Sequence, residues 1–218
     1  MSDITYDYME EYIRSLIGDH SSGLKALEEY AEVNLIPIVQ KEVARYLELM
    51  ITIKKPKKIL ELGTAIGYSA ILMNIASMGN SMITTIERDK VMIEKANFNI
   101  QAFGLSEKIK IVEGDCTQVL ENLQGEYDLI FMDAGKGHYN HFLPNCLRLL
   151  SKDGIIVADN VLFRGMVACN DLLKRRKITI VKRMKSYLNE ISSREDLITS
   201  VLPMGDGIAV TTRRNCNV

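Results

Sequence analysis

The chain has 218 residues, of which 47% are hydrophobic and 25% charged, and its net charge is −1. That length suits one α/β domain over residues 1–218, and the near-neutral charge excludes binding of nucleic acid by the surface as a whole, so any such partner needs a local patch. No run reaches the roughly 18 apolar residues that span a bilayer, the acidic start MSDITYDYMEEYIRSLIGD lacks a signal-peptide core, and Cys116, Cys146, Cys169 and Cys216 form no C-x-x-C pair, which fits reduced thiols in the cytoplasm.

Three helical segments open the chain. Ile4, Tyr8, Tyr12 and Leu16 share a face over residues 4–17, and Leu24, Leu27 and Ala31 do so over 23–34. Pro37 breaks the pattern, and Val43, Leu47 and Met50 resume it over 39–53. Residues 1–55 thus read as a helical extension, and 56–218 as a core. In that core strands are expected at 57–62, 81–87, 108–113, 127–132, 154–158, 196–202 and 207–212. Helices are expected at 68–77, 90–103, 117–123 and 139–150, with a long basic helix within 171–192. Alternation with apolar strands predicts a parallel sheet covered on both faces. The short link Pro203–Asp206 makes the last two strands an antiparallel hairpin.

The first strand runs into Ile59–Ser69, ILELGTAIGYS. A strand, a glycine turn and a helix N-terminus form a ready anion site. Gly63 and Gly67 allow positive φ and close approach of a ligand. Ala65 stands where a dinucleotide fingerprint has its middle glycine, which disfavours a pyrophosphate. Glu87, ending the second strand 24 residues after Gly63, is placed to hold ribose hydroxyls. Asp115, ending the third, is placed to accept from an adenine amino group. Glu61 would face an ammonium and Ser69 a carboxylate. Together they describe S-adenosyl-L-methionine. Taken one at a time, the glycines read equally as turn residues and Glu87 as a solvated cap.

A second cluster lies two strands away. Asp133 ends the fourth strand, Asp159-Asn160 ends the fifth, and Lys136 follows Asp133 by three residues. Two carboxylates and an amide oxygen are hard ligands that suit Mg²⁺ rather than zinc. A lysine in such a pocket can serve as a base. The other reading is a turn pair beside a surface lysine.

The motifs ELGTAIGYS, IERD (86–89), EGDC (113–116), FMDAGK (131–136) and VADN (157–160) resemble those of the divalent-metal-dependent, catechol O-methyltransferase-like family. The likeness covers about residues 37–212. It implies a seven-stranded, mostly parallel Rossmann-like methyltransferase sheet with an antiparallel last strand. It also implies that Val39, Glu61, Gly63, Ser69, Glu87, Asp115, Cys116 and Asp133 bind the cofactor. Asp133, Asp159 and Asn160 would bind Mg²⁺ or a similar cation, Lys136 would be catalytic, and the protein would be a homodimer.

Within the family, the IPI of 36–38, the basic run and MGDGIAV (204–210) are most similar to the bacterial branch that methylates 5-hydroxyuridine at the tRNA wobble position. That likeness implies tRNA as substrate. Lys174–Lys185 holds seven basic residues in twelve, and Arg164, Lys174, Arg175, Arg176, Lys177, Lys182 and Arg183 become candidate phosphate contacts. A solvated helix face explains such a run equally well. A catechol meets the same chemical demand as 5-hydroxyuridine, namely a hydroxyl beside a second oxygen. A small hydroxylated aromatic therefore stays open as substrate, as does a non-catalytic cofactor- or RNA-binding module. Ala65 disfavours a nucleotide-dependent dehydrogenase.

Overall fold

The computed structural model describes residues 4–214; Cys216 lies outside them. Helices α1 (Asp7–Leu16), α2 (Ser22–Val33) and α3 (Lys41–Lys54) precede an alternating core. The core runs β1 (Lys58–Leu62), α4 (Tyr68–Ala76), β2 (Met82–Glu87), α5 (Lys90–Ala102), β3 (Ile109–Glu113), α6 (Cys116–Asn122) and β4 (Tyr127–Met132). It continues through α7 (Tyr139–Leu149), β5 (Leu150–Ala158), α8 (Ile178–Ser193), β6 (Leu197–Leu202) and β7 (Ile208–Arg213).

The strands form one sheet in the order β3-β2-β1-β4-β5-β7-β6. The four pairings from β3 through β5 are parallel, and β7 runs antiparallel to both its neighbours. The expected sheet is therefore the observed one.

Period-two alternation sorts each strand between two apolar layers. Ile59, Leu129, Phe131 and Val157 pack with α2, α3, α4 and α5. Leu60, Leu62, Ile130, Met132 and Ile156 pack with α6, α7 and α8 on the opposite face. Glu61 follows the parity of Ile59, so it enters the first layer as a carboxyl among hydrocarbons.

Two expectations change. Leu150 to Asp153 join β5, which begins before Gly154. The basic helix is broken: Asn170–Leu172 and Arg175–Lys177 are 3₁₀ turns, and the α-helix starts only at Ile178. Four consecutive cations offer no apolar residue to seat an α-helical turn on the core, whereas Val181, Met184, Tyr187 and Ile191 recur at helical spacing and are buried. The apolar stripe of α1 lies outside the core. Tyr8, Tyr12 and Leu16 are 66%, 66% and 68% exposed, and no residue of α1 is buried. Instead Arg14 pins the helix to α3 through Glu42 at 2.8 and 2.9 Å.

The opposite end of the central strands is fastened by one side chain. Asp128 Oδ2 accepts the backbone N–H groups of Lys57 and Lys58 at 2.8 and 3.0 Å, and Oδ1 accepts the Ser151 hydroxyl at 3.2 Å. Burial opposes its charge, but these hydrogen bonds win and hold its pKa below the usual carboxylate range. Asp128→Ala should lower unfolding free energy by about 1–3 kcal/mol, because two strand-entry N–H groups lose their acceptor. Urea denaturation near neutral pH measures this. The difference from wild type should shrink as pH falls through the native Asp128 pKa, since protonation removes the same acceptor.

Candidate active site

The ladders continue one residue beyond the strands. Gly63 N–H donates to Ile86 O, Gly114 N–H to Glu87 O, Asp133 N–H to Leu62 O and Asp159 N–H to Met132 O, at 2.8–3.0 Å. The carboxyl ends of the parallel strands are thereby fixed side by side, the usual place for a ligand in such a sheet. A cleft of about 1040 Å³ opens there, lined from the strand ends, from Ile36–Gln40 and from Glu10 and Arg14 of α1.

The first loop is shaped by its neighbours. Gly63 and Gly67 have φ of 100° and 85°. A Cβ on Gly63 would lie 3.0 Å from Ala134 Cβ and 3.1 Å from Asp133 O, and one on Gly67 3.4 Å from Ala96 Cβ. Both glycines thus serve the backbone turn and its packing on protein, in addition to any ligand. Ala65 also has positive φ, at 44°, and its N–H donates to Glu87 Oε2 at 3.0 Å. Glu87 Oε1 accepts from the N–H groups of Arg88 and Asp89 at 2.8 and 3.0 Å, so this carboxylate braces the glycine turn while facing the cleft.

Glu61 is fully buried. The β1–β2 register pairs it with Thr85, whose hydroxyl donates to Oε2 at 2.5 Å. Its Oε1 has no hydrogen-bond partner among the described residues. Burial raises its pKa to about 7, against the pull of the Ser69 and Thr85 hydroxyls. An orphaned, buried carboxylate oxygen beneath a helix N-terminus is what the ammonium of an amino-acid moiety requires, so the residues fit the expected cofactor.

Val39, Gly63, Ser69, Asp115, Cys116 and Asp133 line the same cleft, whereas Glu61 lies beneath it. Asp115 is chiefly the N-cap of α6. Its Oδ1 accepts Thr117 N–H at 2.9 Å and its Oδ2 accepts from Arg88 at 3.3 Å, which together hold its pKa low. Burial raises the Cys116 thiol to about 12, so it is an apolar wall.

At the second cluster Asp133, Asp159 and Asn160 do converge. Asn160 Nδ2 donates to Asp133 Oδ1 at 2.8 Å, Asn160 N–H to Asp159 Oδ1 at 2.6 Å, and Lys136 Nζ to Asn160 Oδ1 at 2.5 Å. Asn160 sits at φ 61°, a left-handed conformation that asparagine tolerates and that turns its amide back over the strand ends. Burial first raises Asp133 to about 7, with repulsion from Glu61 added, and Asp159 to about 8, with repulsion from Asp133 added, while Lys136 opposes both shifts. Among the described residues no three His, Cys, Asp or Glu side chains gather as a metal-binding group. The donor set is two carboxylates and an amide oxygen, and that all-oxygen chemistry fits a hard divalent cation.

The cationic candidates divide. Arg164, Lys174 and Lys177 line the cleft, with Lys177 Nζ 5.8 Å from the Phe163 ring centre. Arg175, Arg176, Lys182 and Arg183 do not line it, and Arg183 instead donates to Gly137 O at 3.2 Å.

Several contributors were not read from the sequence. Tyr139 O–H lies 2.9 Å from both Met132 O and Asp159 O, which ties the ends of β4 and β5. Asp206 lines the cleft and accepts Arg164 N–H; the glycines on either side of it were the available signal. Tyr68 O–H donates at 2.6 Å to Glu28 Oε1, which is 2.7 Å from His20 Nδ1, fastening α2 to the start of α4. That network joins residues 48 positions apart and leaves no local pattern.

With this geometry in view, comparison with known proteins is direct. Residues 18–214 match the O-methyltransferase family model. A catechol O-methyltransferase from Niastella koreensis is 34% identical over 77% of this chain and 78% of its own length. A caffeoyl-CoA O-methyltransferase from Stellaria longipes is 28% identical over 95% of this chain and 90% of its own. A crystal structure of a candidate caffeoyl-CoA O-methyltransferase from Staphylococcus aureus superposes with a TM-score of 0.88 at 31% identity, over 95% of this chain and all of the other. The fold and site thus define a Rossmann-like methyltransferase. The chain belongs to the O-methyltransferase family and is an S-adenosylmethionine-dependent O-methyltransferase.

The raised carboxyls set a pH dependence. A group with native pKa above its unfolded value binds its proton more tightly when folded, so a carboxyl of this kind loses stability as pH rises towards the native pKa. For Glu61, Asp133 and Asp159 that window runs from the ordinary carboxylate range to about 8. Chelator-treated protein should lose roughly 5 °C or more of melting temperature across it, and Asp159→Asn should flatten the decline. Calorimetry at stepped pH reads both. A second variant, Tyr139→Phe, should cost about 1–2 kcal/mol in urea denaturation, because the Asp159 carbonyl loses this donor while Met132 O keeps the Asp159 N–H.

Proposed function

We propose that the enzyme methylates one hydroxyl of a small hydroxylated aromatic molecule, of catechol or caffeoyl type, whose adjacent carbon carries a second oxygen. The observation that carries this reading is the meeting of Asp133, Asp159, Asn160 and Lys136 beside the cofactor cleft. The catechol and caffeoyl-CoA names of the relatives support it. Asp133, Asp159 and Asn160 would hold Mg²⁺ or a similar cation, which when bound lowers the pKa of a hydroxyl it coordinates. Glu61 would accept from the cofactor ammonium, Ser69 would meet its carboxylate, and Glu87 would hold its ribose. Val39, Gly63, Asp115 and Cys116 would frame the remainder. Lys136 Nζ, once its ammonium has given a proton to solvent, would take the acceptor proton, after which the oxygen bonds to the methyl carbon and the carbon–sulfur bond breaks. S-adenosylhomocysteine leaves as the thioether. Fixing both reactants at one set of strand ends supplies much of such a barrier.

A second reading, methylation of 5-hydroxyuridine in tRNA, rests on Arg164, Lys174 and Lys177 at the cleft. Only those three of the seven candidate cations line it, so the basic run supports tRNA less than its composition suggested. The free thiols of Cys116, Cys146 and Cys169 suit a reducing compartment, which we take to be the cytoplasm. A homodimer is carried over from the family likeness.

The test is S-adenosylhomocysteine formation with catechol, caffeoyl-CoA and hydroxyuridine-containing tRNA in parallel. Turnover of a small aromatic is expected, abolished by chelator and lowered about 10²-fold or more by Asp133→Ala, since the buried site loses a charged ligand. Turnover of tRNA alone would replace the first reading with the second. Full activity of Asp133→Ala in chelator would remove the cation from the scheme.

A further inference from the structure

The oxygen that a cation would take from Asn160 already has a partner. Lys136 Nζ donates to Asn160 Oδ1 at 2.5 Å. The amide cannot easily turn away. Its Nδ2 end is fixed on Asp133 Oδ1 at 2.8 Å, and its backbone N–H is fixed on Asp159 Oδ1 at 2.6 Å. Oδ1 therefore projects towards the lysine. The two carboxylates that make the site attractive to a cation attract the ammonium for the same reason. An amide oxygen has two lone pairs, so it has room for two partners. A divalent cation and an ammonium sharing it would nonetheless lie only a few ångströms apart in a pocket of low dielectric, where like charges repel strongly. Lys136 is the mobile member of the pair. Its stem is flexible, and it stands between Gly135 and Gly137 at the cleft.

We propose that Lys136 and the divalent cation compete for the Asn160 side-chain oxygen, so that this lysine sets the cation affinity of the site. The proposal rests on the reading of Asp133, Asp159 and Asn160 as ligands. Its consequence is an ordered arrangement. With Asn160 Oδ1 given to the cation, the Lys136 amine would leave that oxygen for the cleft, where the acceptor hydroxyl would be its next partner. Lys136 thus does two things, holding the three ligand side chains together and then meeting the substrate.

The experiment is a titration of chelator-treated, full-length protein with Mn²⁺, followed by the electron paramagnetic resonance of free Mn²⁺, without cofactor or acceptor. Wild type is compared with Lys136→Met and Lys136→Gln, which remove the competing charge, and with Lys136→Arg, which keeps it. Circular dichroism and thermal unfolding establish that each variant is folded. Lys136→Met and Lys136→Gln should bind Mn²⁺ about tenfold or more tightly than wild type, from the lost charge repulsion alone. Lys136→Arg should stay near wild type. Equal affinities in wild type and the neutral variants, or weaker binding by the latter, would overturn the competition while leaving the ligand assignment standing. Absence of Mn²⁺ binding in all four proteins would overturn the ligand assignment, and the competition with it.

Discussion

The buried carboxyls of Glu61 and Asp159 and the half-buried one of Asp133 lie on one face of one sheet and cannot all carry charge unless something positive meets them. Glu61, Asp133 and Asp159 continue the same strand parity, through Ile59, Phe131 and Val157, so the register that builds the core also brings them together. Glu61 and Asp159 are 0% and 4% exposed, and desolvation of such groups disfavours the ionised state. The fold accepts this demand at the strand ends, where ladder hydrogen bonds hold the backbone still. An O-methyltransferase of this family has a cationic sulfonium donor with an ammonium, and an acceptor that must lose a proton. The buried acids are the constraint to which both requirements answer.

The same face explains how the N-terminal helices matter to the site. Tyr68 begins α4 directly after the glycine turn, and its bond to Glu28 fixes that helix start against α2. Arg14 spans from α1 to Glu42, lowering the pKa of that buried acid against its desolvation, and lines the cleft as it does so. The helical extension is therefore a wall of the cleft, fastened to the core by polar contacts, while the apolar stripe of α1 stays exposed.

Most of the fold was legible because its signals are local. Strand alternation, the boundary after residue 55 and the short link beginning at Pro203 are read within a window of a few residues. The first and second clusters were legible for a related reason: each lies at the end of an apolar strand, where a polar residue has no core role. What was not legible depends on contacts between distant segments. The break in the basic run follows from which residues meet the core, and composition cannot reveal that. Asp115 was read for a ligand, whereas its side chain chiefly caps α6. Tyr139 was read only as the start of a helix, and only the fold puts its hydroxyl between two carbonyls. The glycines were read for a ligand, yet protein atoms crowd the space beside Gly63 and Gly67.

The central claim is that the ends of β4 and β5 make a cation site beside a cofactor site beneath which Glu61 lies. A crystal of the protein grown with S-adenosylhomocysteine and Mn²⁺, measured at the manganese edge, tests it most directly. The account predicts one anomalous peak bounded by Asp133, Asp159 and Asn160, with the cofactor's amino group within hydrogen-bond reach of Glu61. A peak elsewhere, or a cofactor whose amino group lies far from Glu61, would contradict it.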